Sequence, residues 1–312
     1  MCYTFIINNR GKEKMKNSKN NFSLILSMLI FGTIGIFRRY IPWQSGAIAC
    51  ARGIIGFVFL ILFVLLTGKK ISFGCIKRNL VLLLLSGAFI GFNWILLFEA
   101  YNYTTVATAT LCYYMQPIFV ILVSPLFFKE KLTPKKLLCA AAAFGGMVLI
   151  SGVGSAEETS ENELKGILFG LGAALLYSAV VIMNKKLKNI SAYDKTIVQL
   201  GTSALVVLPY TLLFENFAVD NVGSFTVVMI LIVGILHTGI AYALYFGSMD
   251  GLKAQTIAIF SYIDPVVAII LSAVVLKEKI TVFDIVGAVL VLGATFISEF
   301  DFGSAKKKAE MK

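Results

Sequence analysis

The sequence predicts an all-α integral membrane protein with ten transmembrane helices, arranged as two inverted five-helix repeats. Three observations support this prediction. Apolar residues make up 58% of the 312 residues and charged residues only 14%, whereas soluble domains carry roughly 25% charged residues. The apolar residues form ten long runs, and the second half of the chain repeats features of the first half.

Ten apolar segments follow a polar, basic stretch of about twenty residues that we expect to be unstructured. Each segment has roughly the 17–25 residues that a helix needs to cross the hydrocarbon core. No alternation typical of a membrane β-barrel is present, so helices are the remaining way to satisfy the backbone in a bilayer. The segments lie at residues 22–38, 44–66, 79–100, 104–127, 134–152, 164–184, 194–213, 225–248, 254–276 and 281–299.

The basic residues predict the orientation of these helices. With the N terminus inside the cell, 22 of the 28 Lys and Arg residues lie on the inner side and 5 on the outer side. Cytoplasmic loops carry such an excess of positive charge. We therefore predict a multi-pass protein of the plasma membrane with both termini cytoplasmic. Its basic tails are residues 1–21 and 301–312, and residues 153–163 form an acidic external loop.

An internal duplication appears when the sequence is shifted by 148 residues. The aligned features are Tyr114 with Tyr262, Pro117 with Pro265, and Lys129–Thr133 with Lys277–Thr281. Because each unit has an odd number of helices, the second must insert in the opposite orientation. We predict repeats at residues 22–152 and 164–300. Inverted repeats of this kind are typical of transporters whose halves rock about a central site.

These features together resemble the EamA-type family of the drug/metabolite transporter superfamily, over residues 22–300. The resemblance rests on the ten helices, the two repeats and the runs Pro117–Thr133 and Pro265–Thr281. Arg52, followed by Gly53 in the second predicted helix, is also similar to an arginine at that place in the family. The resemblance implies secondary transport, often export, of small metabolites such as amino acids, without ATP.

Two other classes of membrane protein are the alternatives. A multi-spanning membrane enzyme needs clustered carboxylates or paired catalytic groups, and the intramembrane acids here are isolated, with no glycine-rich phosphate loop. A channel-like facilitator needs a selectivity-filter loop or a ring of charges, which the sequence does not reveal. We therefore expect a non-enzymatic carrier without cofactor or metal. Its expected partners are a small metabolite and the lipid bilayer, not nucleic acid, and it is expected to act as a monomer.

Asp264 is the foremost candidate for the binding site. It directly precedes Pro265, and its repeat counterpart Gln116 directly precedes Pro117. Proline removes a backbone donor and frees a carbonyl, so we expect hinges at both prolines. A charge within a spanning helix costs about 2.5–3.5 kcal/mol on insertion scales. We expect Asp264 to bind substrate or a coupling cation; the alternative is a hinge residue bonded to a neighbouring helix.

The other candidates are an intramembrane arginine, a histidine and polar or aromatic side chains. Arg52 could pair with Asp264 or Glu99, or bind a substrate carboxylate. His237 could titrate near neutral pH or simply bond a neighbouring helix, and tyrosines and tryptophans also populate membrane interfaces. The predicted substrate-binding residues are Arg52, Asn93, Trp94, Tyr101, Tyr113, Tyr114, Gln116, His237, Tyr242, Tyr245, Tyr262 and Asp264.

Overall fold

Helices account for all the regular secondary structure that the computed structural model describes. It describes residues 2–104, 109, 112–151, 161–215, 223–249, 251–276 and 282–299. The helices are α1 (Cys2–Arg39), α2 (Ser45–Leu66), α3 (Phe73–Tyr103), α4 (Gln116–Phe128), α5 (Pro134–Ser151), α6 (Glu161–Lys186), α7 (Ala192–Phe214), α8 (Ser224–Ser248), α9 (Ala254–Phe260), α10 (Ile263–Leu276) and α11 (Val282–Glu299). Every predicted apolar segment overlaps one of these helices or, at residues 254–276, two.

The helices have the length and surface of membrane spans. Within the described residues, α2, α3, α6, α7 and α8 each contain a stretch long and apolar enough to cross a membrane, and α4 is a shorter apolar helix. Large apolar side chains cover the outside of the bundle, including Leu66, Leu126 and Phe214, which are 86%, 82% and 76% exposed. Water disfavours an apolar surface of this extent, whereas lipid accommodates it.

Helix α1 is longer than its predicted membrane segment. It begins at Cys2, so the basic stretch before residue 22 is helical, and our expectation of an unstructured segment is wrong. The stretch continues the helical register of the apolar segment behind it, and Lys and Asn are compatible with a helix in water.

The spans that contain Pro117 and Pro265 are interrupted at nearly the same place in their repeats. In the second repeat, α9 ends at Phe260 and α10 begins at Ile263, so Ser261 and Tyr262 form a turn between them. In the first repeat, Tyr114 and Met115 form a turn, and α4 begins at Gln116. Proline suits the first turn of a helix, where no backbone donor is needed. The interruption therefore falls directly before Gln116-Pro117 in the first repeat and one residue before Asp264-Pro265 in the second.

The two halves of the chain are interlocked. Helix α1 packs against α8 and α10 of the second half, and its counterpart α6 packs against α3 and α4 of the first half. The counterparts α2 and α7 pack against each other, as do α5 and α11. The first helix of each repeat thus completes the bundle of the other repeat, and the space between the repeats is enclosed by both.

Gly32 allows the closest approach of α1 to the broken span. A Cβ atom at this position would lie 2.6 Å from the main-chain oxygen of Asp264 and 2.6 Å from the Cβ atom of Val267. Only a hydrogen fits in this space. Glycine therefore lets the backbone of α1 pack directly on the first turn of α10, where Asp264 lies.

Candidate functional site

A cavity of about 250 Å³ lies between the two repeats. Helices α1, α2, α3, α4, α6, α8 and α10 and the two turns before the prolines contribute to it. Half of the residues that line it are aromatic, and Arg52 and Asp264 are its charged residues. The lining residues are Met28, Phe31, Ile34, Arg52, Asn93, Trp94, Leu97, Phe98, Tyr113, Tyr114, Gln116, Tyr177, Tyr242, Tyr245, Ser261 and Asp264.

A pair of equivalent tyrosines supports the Asp264 carboxylate. The Tyr114 hydroxyl donates to Asp264 Oδ1 at 2.7 Å. The Tyr262 hydroxyl donates in turn to the main-chain oxygen of Tyr114 at 3.0 Å. Their ring centroids are 6.3 Å apart. Tyr262 is fully buried behind Tyr114 and does not line the cavity, so it braces the residue that holds the carboxylate.

Arg52 is held by α8 and α3, and not by an acidic residue in the described part of the chain. Its Nε donates to Thr238 Oγ1 at 2.9 Å, and its guanidinium carbon lies 5.0 Å from the centroid of the Trp94 ring. Glu99 instead accepts a hydrogen bond from the Tyr210 hydroxyl. Arg52 pairs with neither Asp264 nor Glu99, the two acids considered as its partners. The charges of Arg52 and Asp264 are therefore presented to the cavity separately.

An irregular segment of α8 positions the partner of Arg52. Residues Val233–Ile240 form a π-helix, a widened turn that is often found at functional sites. Within it, the Thr238 hydroxyl donates to the main-chain oxygen of Val233 at 2.9 Å. This bond leaves the Thr238 oxygen available to accept from Arg52.

Two buried amide residues in the cavity lining each carry an unmatched hydrogen-bonding atom. Asn93 donates from Nδ2 to the main-chain oxygen of Ala173 at 2.7 Å, and its Oδ1 has no partner among the described residues. The Nε2 of Gln116 likewise has no partner there. Asn93 and Gln116 are only 1% and 4% exposed. Buried polar groups in proteins are nearly always hydrogen-bonded, so these two atoms require a partner.

Aromatic rings form the walls of the cavity. Tyr177 and Tyr245 are stacked almost in parallel, with centroids 6.4 Å apart and planes 8° apart. Tyr242 meets Phe31 and Trp94 edge to face, at 5.3 and 6.4 Å. Such walls offer a large apolar surface whose phenol and indole groups can also hydrogen-bond.

Nine of the twelve predicted binding residues line this cavity. They are Arg52, Asn93, Trp94, Tyr113, Tyr114, Gln116, Tyr242, Tyr245 and Asp264. Tyr262 lies behind Tyr114, as described above. Tyr101 belongs to α3, but its side chain is outside the part of the chain that the structure describes.

His237 lies away from the cavity lining. It is fully buried on the π-helix. Its Nε2 is 2.7 Å from Thr33 Oγ1, and its ring centroid is 5.0 Å from that of Phe37. It therefore joins α8 to α1, which is the simple hydrogen-bonding alternative considered for this residue.

Tyr177 is the main cavity residue that sequence reasoning missed. It lies in the middle of α6 and touches the rings of both Tyr113 and Tyr245. At the shift of 148 residues its counterpart in α1 is Leu29, which is not aromatic, so a comparison of the repeats did not reveal it. Tyrosines in membrane helices are enriched at the two interfaces. The position of Tyr177 at the centre of its helix could therefore have indicated a binding residue.

The fold and this cavity define a class of membrane carrier: an all-α integral membrane protein whose two inverted repeats enclose a central polar and aromatic site. Residues 19–152 and 164–300 each match the EamA-like transporter family. The chain belongs to that family. The resemblance seen in the sequence is thereby confirmed.

Several relatives support this assignment. The chain is 31% identical to the uncharacterized transporter YxxF of Bacillus subtilis (strain 168), over 86% of this chain and 85% of the relative. It is 27% identical to a protein of Escherichia coli (strain K12) named a probable amino-acid metabolite efflux pump, over 72% of this chain and 78% of the relative. A similarly named protein of Salmonella typhimurium is 27% identical over 62% and 67%.

A solved structure shares the fold. It superposes with a TM-score of 0.82 at 18% identity, covering 90% of this chain and 96% of the other. Together with the family match, this likeness establishes ten transmembrane helices in two inverted repeats. The protein is a multi-pass membrane transporter of small molecules and not an enzyme, as the family and its named relatives indicate.

Proposed function

We propose that the protein is a secondary transporter that exports or exchanges small metabolites such as amino acids by alternating access. The observation that carries this proposal is the cavity between the repeats, which presents Arg52 and Asp264 without pairing them to each other. Relatives named as amino-acid metabolite efflux pumps support the same substrate class. The cavity is complete within one chain, so a monomer suffices.

The charges of the cavity suit a zwitterion. A buried charge is stabilised only when an opposite charge or hydrogen bonds compensate it. The ammonium and carboxylate of an amino acid provide one partner each for Asp264 and Arg52, and the aromatic walls accommodate an apolar side chain. Binding of an amino acid would therefore compensate each of the two buried charges and keep the net charge of the cavity at zero.

Contacts of Glu130 support the alternating-access part of the proposal. Glu130 lies in the repeated Lys-Glu-Lys segment and accepts hydrogen bonds from the backbone N–H groups of Ala254 and Gln255, at 3.0 and 3.4 Å. Lys185 Nζ lies 3.7 Å from the same carboxylate and also donates to the main-chain oxygen of Leu252. These contacts join the end of α4 to the start of α9. We propose that they close the cavity on this side and break when it opens there.

The membrane orientation belongs to the same proposal. We propose that the Glu130 contacts lie on the cytoplasmic side of the plasma membrane, together with both termini and the basic tails 1–21 and 301–312, because the excess of Lys and Arg favours this orientation. The repeats 22–152 and 164–300 then rock about the interruptions before Pro117 and Pro265. Helix interruptions at a repeat interface provide this freedom in other transporters.

Transport by purified protein in sealed liposomes tests the proposal. We expect saturable uptake and counterflow of radiolabelled amino acids, and Asp264→Asn should abolish most of it. Glu99→Gln is the matched control, because Glu99 is also an intramembrane acid but bonds Tyr210 outside the cavity lining. Full activity of Asp264→Asn, or single-channel currents instead of counterflow, would contradict the proposal.

A further inference from the structure

We infer that Asn93 and Gln116 are specificity-determining residues that hydrogen-bond the substrate directly, so that the carrier selects free amino acids with an apolar side chain and intact ammonium and carboxylate groups. The inference rests on the proposed function. Asn93 and Gln116 are the neutral groups that recognise the substrate, and amino acid derivatives that lack the carboxylate are rejected.

The first argument is the position of the unmatched atoms. Unpartnered buried side-chain atoms occur at eight places in the described part of the chain, but only those of Asn93 and Gln116 belong to residues that line the cavity. One is an oxygen that needs a donor and the other a nitrogen that needs an acceptor. A ligand with an N–H donor and an oxygen acceptor satisfies both.

The second argument is the rigidity of these groups. Asn93 Nδ2 donates to the main-chain oxygen of Ala173 in α6. This bond turns the NH2 end of the amide toward α6, so that Oδ1 faces away from that helix. Gln116 begins α4 directly before Pro117, and its side chain is confined by packing because the residue is only 4% exposed. A preorganised group loses little entropy on binding and so discriminates better than a mobile one.

The third argument comes from the divergence of the repeats. Gln116 and Asp264 occupy equivalent positions, but one is a neutral amide and the other a carboxylate. Two carboxylates here would attract a ligand with an excess of positive charge. Instead, the single carboxylate and Arg52 balance each other, and the amide adds a hydrogen bond without adding charge. This composition favours a net-neutral ligand over a cation.

Selection should therefore depend on the charge at position 116. An amino acid methyl ester keeps the ammonium but has lost the anionic carboxylate, so it carries a net positive charge. It should bind the native protein poorly. In Gln116→Glu the cavity gains a negative charge that compensates the ammonium of the ester. The esters should then bind this variant at least tenfold more tightly than they bind the native protein, and the free amino acids should bind it less tightly.

The experiment measures binding by tryptophan fluorescence. Trp94 lines the cavity and Trp43 does not, so a Trp43→Phe background reports on the cavity. The probes are L-leucine, L-methionine, L-phenylalanine and their methyl esters, added to purified protein in lipid nanodiscs. Asn93→Leu and Gln116→Met keep the side-chain size, and each should weaken binding of the free amino acids about tenfold. Asn79→Leu and Gln44→Met are matched controls outside the cavity lining and should bind as the background protein does.

The possible outcomes separate this inference from the function on which it rests. If the background protein binds free amino acids and both Asn93→Leu and Gln116→Met bind them equally well, the inference is wrong and the proposed function stands. If Gln116→Glu shows no gain for the esters, charge selection at this position is also wrong. If the background protein neither binds nor transports any free amino acid, the proposed substrate and this inference both fall. The gain expected for Gln116→Glu requires a folded protein, so misfolding cannot imitate it.

Discussion

Tyr114 donates a 2.7 Å hydrogen bond to Asp264 and so joins the interrupted spans of the two repeats across the cavity. The two residues come from opposite halves of the chain, and each lies within three residues of its proline. The carboxylate is thus oriented by the repeat to which it does not belong. Movement of one repeat against the other would change this contact directly.

Replacement of Tyr114 by Phe should weaken substrate binding at least tenfold. A hydrogen bond to a charged group contributes about 1.5–3 kcal/mol, and without it the carboxylate loses its fixed orientation. Initial transport rates over a range of substrate concentrations would measure the effect. Tyr40→Phe is the control, because Tyr40 is 45% exposed and lies outside the cavity lining. Unchanged kinetics in Tyr114→Phe would contradict a role for this bond.

Replacement of Arg52 by Lys should impair transport nearly as much as replacement by Gln. Lysine keeps the charge but cannot both donate to Thr238 and place its cation over the Trp94 ring, as the branched guanidinium does. Loss of these two contacts predicts a decrease in kcat/KM of about tenfold or more. Thr238→Val should show a smaller defect of the same kind. Native activity of Arg52→Lys would indicate that charge alone is required.

Replacement of Glu130 by Gln should open the cavity toward the side that carries Lys131. The Gln amide has one acceptor oxygen in place of two, so it cannot accept from both backbone N–H groups at the start of α9, and it carries no charge to attract Lys185. Ser261→Cys, in a protein otherwise free of cysteine, places a thiol in the cavity. We expect a membrane-impermeant thiol reagent added from that side to label it several-fold faster in Glu130→Gln. Lys131→Gln, in the same segment but exposed, should label at the native rate, and equal rates in both variants would rule out the proposed closure.

Replacement of Gly32 by Ala should destabilise the bundle by about 1–3 kcal/mol, the usual cost of overpacking. The added methyl group would meet the backbone of Asp264, which cannot rotate away. Gly145→Ala is the control, since a Cβ atom there has nothing within 4 Å, and alanine should favour the helix by up to about 1 kcal/mol. Thermal unfolding in detergent would compare the two variants. Equal melting temperatures would show that α1 can move away from α10 at little cost.

Much of the site was accessible from the sequence because its parts are duplicated. The shift of 148 residues identified Gln116-Pro117 and Asp264-Pro265 as equivalent, and both residues before the prolines line the cavity. Tyr177 has no aromatic counterpart and was missed for that reason. His237 and Tyr262 were also predicted to bind substrate, but packing places one beside Thr33 and the other behind Tyr114.

The sequence by itself determined that this is a membrane protein of ten helices in two inverted repeats. Hydrophobic length, charge distribution and duplication are properties of the chain, and the bilayer permits few ways to satisfy them. The partners of individual side chains were decided only by the tertiary structure. Among the described residues Arg52 bonds Thr238 and not an acid, because the π-helix presents that hydroxyl while α1 and α6 cross into the opposite repeats. Such pairings depend on the relative positions of helices far apart in sequence, which no local pattern specifies.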